Sequence, residues 1–356
     1  MDRILMITPY LQSQRGNSVT ATRLYNGLKR KGYAIDLIAM DEPDWQLQLD
    51  RYTQANAYDL VHGFHALHFS RVVNHPVIKK LPIVLTTTGT DINYDLCGPK
   101  QKQTLAVLLK ASKIVVFNSD LGSRLTTIEP RLQSRQVVIP QGVELPKAPP
   151  VTRRQLGLAT DDTVFIIPSG LRPVKDLDLA LDGLAIAYQK YSQLCLLIVG
   201  TAIDLEYTAH IESRLGALRW ARYLGEVPHQ TIEGLLQTAD VVLNTSRSEG
   251  QPQGALEAMS LGKPCILTAV PGNLGIIENG LQGYYINSAT ELAEAALKLI
   301  HNPTLCVTMG KAARRLVNDK YSADEELNAY DRLYQALQVQ QSPGLDPYRI
   351  NKSCII

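Results

Sequence analysis

The chain has 356 residues, 45% of them hydrophobic, enough to bury a large core and to build two domains of ordinary size. Lys and Arg number 36 against 34 Asp and Glu, and the resulting net charge of +2 offers no broad positive field for nucleic acid. No apolar run approaches the ~20 residues of a membrane span, and the apolar part of "MDRILMITPY" is too short for a signal peptide.

The five cysteines (Cys97, Cys195, Cys265, Cys306, Cys354) are scattered, with no CxxC spacing for zinc, which points to a reducing cytoplasm. Cys354 is third from the end, whereas a prenylation signal needs it fourth. Peripheral contact with a membrane and the oligomeric state stay open.

Short apolar runs alternate with longer helix-like stretches, the sign of βαβ units around parallel sheets. Strands are expected at "RILMITP" (3–9), "AIDLIAM" (34–40), "DLVHGF" (59–64), "PIVLTTT" (82–88), "KIVVFNS" (113–119) and "QVVIP" (136–140), with a loop and helix over 16–31. These make one doubly wound domain, 1–143. In "ELPKAPP" (144–150) three prolines interrupt any periodicity, so this is the linker. The pattern then restarts over 151–321 with "TVFIIPSG", "LCLLIVG", "RYLGEV", "DVVLNTS", "KPCILTA" and "GYYINS". A closing helix over 322–341 starts with a Ser cap and acids in its first turn, and the tail, 342–356, reads as unstructured. Two αβ halves imply a cleft between them.

Neither G-x-G-x-x-G nor G-x-x-x-x-G-K-[ST] occurs, so phosphate binding would need another device. In "QRGNSVTATRLYNGL", Gly16 and Asn17 stand just before a helix, where free amides can receive an anion or simply turn the chain. In "SGLRPVKDLDLALDGL", Arg172 and Lys175 lie on a short loop after a buried strand. Two cations there suit a diphosphate, since Arg forks onto two oxygens while Lys acts as a mobile point charge. The alternative is a solvated basic turn. Asp176-Leu177-Asp178 spells D-x-D, a metal-binding pattern in another class of sugar transferases. A helix cap at Asp176 and a first-turn acid at Asp178 account for both, so no metal or cofactor is expected.

"SRSEGQPQGALEAMSLGKPC" (246–265) carries two acids, Glu249 at a strand end and Glu257 about one turn into a helix that Gly262 closes. Both can face one cleft. Between them the uncharged loop with Gly250, Gln253 and Gly254 lets backbone N–H groups approach a sugar or phosphate, while carboxylates accept from hydroxyl pairs.

This stretch resembles the E-x7-E motif of retaining nucleotide-sugar glycosyltransferases of family 4, as do "YLGEVPHQTIEGLLQTADVVLNTS" and "PGNLGIIENGLQGYYI" around it. The resemblance implies an α/β fold of the GT-B kind: two Rossmann-like, doubly wound domains facing a cleft, with a C-terminal helix crossing back. It implies a metal-independent enzyme that uses a nucleotide-sugar donor, UDP-linked, as co-substrate with an acceptor substrate. Glu249 would contact the donor sugar, Glu257 the ribose hydroxyls, and Arg172 and Lys175 the diphosphate, with any acceptor proton passing to the departing phosphate. A sugar-nucleotide epimerase or hydrolase, or a silent sugar-nucleotide binder, is the alternative.

The first half departs from the pattern. Gly16-Asn17 stands where Gly-Gly is common, and Thr88 of "TTTGTD" stands where His precedes G-x-D. With "GNSVTATR", "GFHALH" and "GLRPVKD", this resembles the branch that includes bacterial selenosugar synthases and animal glycosyltransferase-1-domain-containing proteins. Thr is no general base near pH 7. A strongly nucleophilic acceptor, such as selenophosphate or a thiol, would reduce the need for one. His65 of "GFHALH" is the nearest imidazole, and the branch resemblance places it on the acceptor side, although a lone His after an apolar strand also fits a structural role. Asp91 of "GTD" either caps the next segment or faces the cleft.

Overall fold

The computed structural model describes residues 3–11 and 16–339. The expected tail, 342–356, lies outside the described residues, as do residues 12–15 just ahead of Gly16.

The chain builds two six-stranded sheets, every strand parallel to its neighbours. The first holds β1 (Arg3–Thr8), β2 (Ala34–Ala39), β3 (Leu60–Phe64), β4 (Ile83–Thr86), β5 (Lys113–Val116) and β6 (Gln136–Val138), in the order β2-β1-β3-β4-β5-β6. The second holds β7 (Thr163–Pro168), β8 (Leu194–Val199), β9 (Ala221–Tyr223), β10 (Val241–Asn244), β11 (Cys265–Thr268) and β12 (Gly283–Ile286), in the order β12-β11-β10-β7-β8-β9. The strands are continuous apolar runs because helices cover both faces. All five residues of β3 and all six of β8 are buried.

Strand order reverses beside β1 and β3 in one sheet and beside β7 and β10 in the other. In open parallel sheets these are the places where flanking helices diverge and a crevice opens beyond the strands' carboxyl ends. Two doubly wound halves are what the sequence pattern leads one to expect, and they are of the GT-B kind that the family resemblance implies.

Four helices matter for the cleft: α1 (Gly16–Arg30), α2 (Leu177–Lys190), α3 (Gln253–Ser260) and α4 (Ala323–Val339). No described helix is long and apolar enough to cross a membrane. The last, α4, lies on the first sheet. Its Leu327, Tyr330, Leu333, Tyr334 and Leu337 share a core with Ile4, Met6, Leu24 and Leu28.

A buried polar chain pins this contact. On β3, His62 Nδ1 lies 2.7 Å from the Tyr334 hydroxyl and Nε2 lies 2.7 Å from Thr86 Oγ1, which also meets the Tyr330 hydroxyl at 2.8 Å. Burial pushes the His62 imidazole down to about 3, so it is neutral. Nearby, Arg23 of α1 forks onto Glu326 of α4 at 2.8 and 3.1 Å.

Candidate active site

The loops leaving β7 and β10 meet at the second reversal point. After β7 the chain passes Ser169 and Gly170, makes a short 3-10 turn over Pro173–Lys175, and enters α2 through Asp176, whose backbone is left-handed (φ 44°, ψ 54°). The loop after β10 is tied to it: Arg247 N–H donates to the Val174 carbonyl (2.8 Å) and Thr245 Oγ1 to the Lys175 carbonyl (3.0 Å).

These ties bring Lys175 onto Glu249. Lys175 Nζ lies 2.6 Å from Glu249 Oε1, and the same oxygen accepts from Ser246 Oγ (2.6 Å) and Asn244 Nδ2 (2.9 Å). Burial works to raise the Glu249 carboxyl, but Lys175, Ser246 and Asn244 outweigh it and hold the group below the ordinary carboxylate range. Glu249 is therefore an anion at neutral pH. Glu257, on α3, is also buried, and His229 Nε2 stands 3.2 Å from its Oε1. Arg172 completes this side, with its Nε buried and without a hydrogen-bond partner among the described residues.

The uncharged loop between the two acids is fastened to the first half of the chain. Asn93 Nδ2 donates to the Glu249 carbonyl (3.1 Å), Asn118 Nδ2 to the Gly250 carbonyl (3.0 Å), and Gln253 Nε2 to the Gly142 carbonyl (2.8 Å). Gln251 and Gln141 exchange two bonds of 3.0 and 2.9 Å. Bare glycines are required where backbones touch. A Cβ on Gly89, itself at φ +91°, would lie 2.5 Å from Gly250 Cα. One on Gly254 would lie 2.4 Å from the Pro168 carbonyl oxygen, so Gly254 lets α3 start against the end of β7.

The facing wall comes from loops after β1, β3 and β4. His65, the residue after β3, is buried and holds a strained backbone for a residue with a side chain (φ 64°, ψ 107°). Its Nε2 lies 3.0 Å from Thr90 Oγ1 and 3.8 Å from Asp95 Oδ2, while Nδ1 is buried and without a partner among the described residues. Its ring meets that of His68 edge-on, 4.6 Å between centroids. Burial raises the Asp95 carboxyl, against the pull of His65. Thr88 Oγ1 is likewise buried and, among the described residues, has no partner.

His65, Thr88, Arg172, Lys175, Glu249, Gly250, Gln253, Gly254 and Glu257 thus line one cleft of about 530 Å3. Of the two readings of Asp91 the structural one holds, and the cap expected at Asp176 needs correction. Asp91 does not line the cleft: it is fully buried, and its carboxylate accepts from the N–H groups of Ala66 (3.0 Å), Thr88 (3.0 Å) and Ile92 (3.1 Å). Asp176 does not cap α2. Its carboxylate pairs with Arg247 at 2.8 Å, and the first amide of α2, Leu177 N–H, goes to the Tyr207 hydroxyl instead. Gln253 lines the cleft as expected of that loop, with its side-chain amide on the Gly142 carbonyl. Asp178 pairs with Arg214 and His210. Gly16 and Asn17 open α1, but their surroundings lie outside the described residues.

Other lining residues escaped the sequence reading. Asn244 and His229 hold the two acids, and Asp95 backs His65. Asn244 was signalled only by being a polar residue ending an apolar strand at the reversal point.

The comparisons agree with this geometry. Residues 150–316 match the family Glycosyl transferases group 1. Over 340 residues the chain is 26% identical to Glycosyltransferase 1 domain-containing protein 1 of Xenopus tropicalis, covering 92% of this chain and 96% of the relative. It is 24% identical to N-acetyl-alpha-D-glucosaminyl L-malate synthase of Bacillus anthracis, covering 79% and 75%. Among solved structures, sucrose-phosphate synthase of Thermosynechococcus elongatus superposes with a TM-score of 0.78 at 17% identity, covering 96% of this chain and all (100%) of that one. Anabaena Alr3699/HepE, solved in complex with UDP and glucose, does so with 0.79 at 18%, covering 94% and 100%. The segment carrying Arg172, Lys175, Glu249 and Glu257 therefore matches the group 1 glycosyl transferases, and the chain as a whole has the GT-B architecture.

Proposed function

We propose that the protein is a retaining, metal-independent, cytoplasmic glycosyltransferase that moves a sugar from a UDP-linked donor to an acceptor bound in the same cleft. The observation that carries this reading is the contact of Lys175 with Glu249 at the reversal point, beside the partnerless Nε of Arg172 and within the cleft that Glu257 lines.

Each group has work that its chemistry allows. The diphosphate meets Arg172 and Lys175, which neutralise the charge that grows as the bond to the sugar breaks. Protein cations fill the role that a metal ion has elsewhere. Glu257 accepts from the ribose hydroxyls and Glu249 from hydroxyls of the donor sugar. The acceptor attacks the anomeric carbon from the side the diphosphate leaves, which retains the configuration. The similarity to a relative named as a glucosaminyl malate synthase and to a structure holding UDP and glucose supports the donor class.

The test is to incubate UDP-sugars with selenophosphate, small thiols and hydroxyl compounds in excess EDTA and to follow the products by mass spectrometry. A new glycoside formed despite chelation is expected. A donor altered without acceptor would instead mark an epimerase or hydrolase. A donor bound but unchanged would mark a silent binding protein.

A further inference from the structure

Eight buried side-chain polar atoms lack a hydrogen-bond partner among the described residues, and three belong to residues of this one cleft: Arg172 Nε, His65 Nδ1 and Thr88 Oγ1. Partnerless buried polar groups are costly, so their gathering at one place asks for a ligand. Arg172 lies with the donor groups. The other two stand on the facing wall.

Their placement is held firmly. The Asp91 carboxylate takes the N–H groups of both Ala66 and Thr88, fixing the two loops against each other. The His65 N–H donates to the Thr86 carbonyl at 2.9 Å, which helps keep its unusual backbone in place. Such strain persists only where the surroundings impose it, and it collects at functional positions.

The charged and titratable neighbours of His65 are Asp95, Asp91 and His68, and the last lies 3.5 Å from the Tyr10 hydroxyl. With Asp95 and Thr90 on the Nε2 side, the proton of a neutral imidazole belongs there. Nδ1 is then left with a lone pair, an acceptor. Thr88 Oγ1 carries a proton that it can donate to a bound group. One acceptor beside one donor matches a neutral hydroxyl, which gives one hydrogen bond and takes another. A thiolate gives no proton to Nδ1, and a thiolate or a selenophosphate alike brings negative charge toward Asp95.

Building on the glycosyltransferase reading, we propose that His65 Nδ1 and Thr88 Oγ1 together receive the reacting hydroxyl of an alcohol acceptor, with His65 a catalytic base and Asp95 a positioning residue behind it. The acceptor oxygen forms its bond to the anomeric carbon as the bond from that carbon to the diphosphate breaks, and the electron pair leaves with the diphosphate. The hydroxyl proton passes to Nδ1, giving an imidazolium beside Asp95, and is then released to the diphosphate or to solvent. The imidazole absent at Thr88 is thus supplied from the neighbouring loop, and the acceptor need not be an unusually strong nucleophile.

The experiment uses the full chain with UDP-glucose and UDP-N-acetylglucosamine against glycerol, myo-inositol, cysteine, glutathione and selenophosphate, and compares wild type with His65→Asn, Asp95→Asn and Asp95→Glu. Asn tolerates a positive φ and keeps the backbone in place. An oxygen-linked glycoside is expected, with kcat lowered about 100-fold or more in His65→Asn, the usual worth of a general base, while UDP affinity by calorimetry is unchanged. Asp95→Glu should retain more turnover than Asp95→Asn, a difference that a merely structural carboxylate would not produce. Sulfur- or selenium-linked products alone, or an undiminished kcat in His65→Asn, would overturn the proposal while leaving the donor reading intact. Loss of UDP binding in the wild type would instead remove the donor reading itself.

Discussion

Lys175 and Glu249 are so placed that neither can be removed without consequence for the other. Among the described residues Lys175 is the one cation on a carboxylate that is otherwise held by Ser246 and Asn244. Lys175→Ala should therefore lose stability as well as donor binding, because breaking a buried pair strands its partner at about 3 to 5 kcal/mol. The double variant Lys175→Ala/Glu249→Gln separates the two effects: melting temperature should recover, while donor affinity and rate stay low. Recovery of donor affinity along with stability would remove Lys175 from the diphosphate. Glu249→Gln alone leaves the diphosphate cations in place and should lower turnover at saturating donor more than it weakens UDP binding, since its contact is with the sugar that reorganises. Calorimetry with UDP beside steady-state rates decides between these outcomes.

At the scale of elements, the contact between α4 and the first sheet depends on an imidazole that must stay neutral. The ordinary value for His62 is 6.5 and burial takes it to about 3, so the unfolded chain binds the extra proton across that interval. Stability is therefore fully present above 6.5 and is lost as pH falls toward 3. Each unit of that interval is worth about 1.4 kcal/mol. Chemical denaturation followed from pH 7 downward should show this loss for the wild type and a smaller slope for His62→Gln, which keeps polar contacts but does not titrate. Parallel slopes for the two proteins would mean that His62 is not the group responsible.

Across the whole molecule, the local signals in the sequence carried far. Apolar runs such as "LCLLIV" locate β8 because a strand covered on both faces needs no alternation. Glu249 was placed at a strand end and Glu257 in the helix that follows, where they stand in the structure. What could not be read was set by partners distant in the chain. Asp176 has the residue type and position of a helix cap, yet Arg247, arriving from the loop after β10, takes its carboxylate. Asp91 spends its oxygens on amides from two loops, a need that no spacing in "TTTGTD" reveals. The close approach of Gly89 to Gly250 across the cleft is likewise a fact of assembly, with one glycine from each half of the chain.

The central claim is that the two acids of the motif grip a nucleotide-sugar at its two ends, Glu257 at the ribose. The most direct measurement is calorimetric titration of UDP, which lacks the sugar, into the wild type and Glu257→Ala. A charged hydrogen bond of this kind is worth about 1.5 to 3 kcal/mol, so UDP should bind the variant one to two decades more weakly. Equal affinity for the two proteins would contradict the assignment of Glu257 to the ribose, and with it the account of the cleft as a UDP-sugar site framed by two carboxylates.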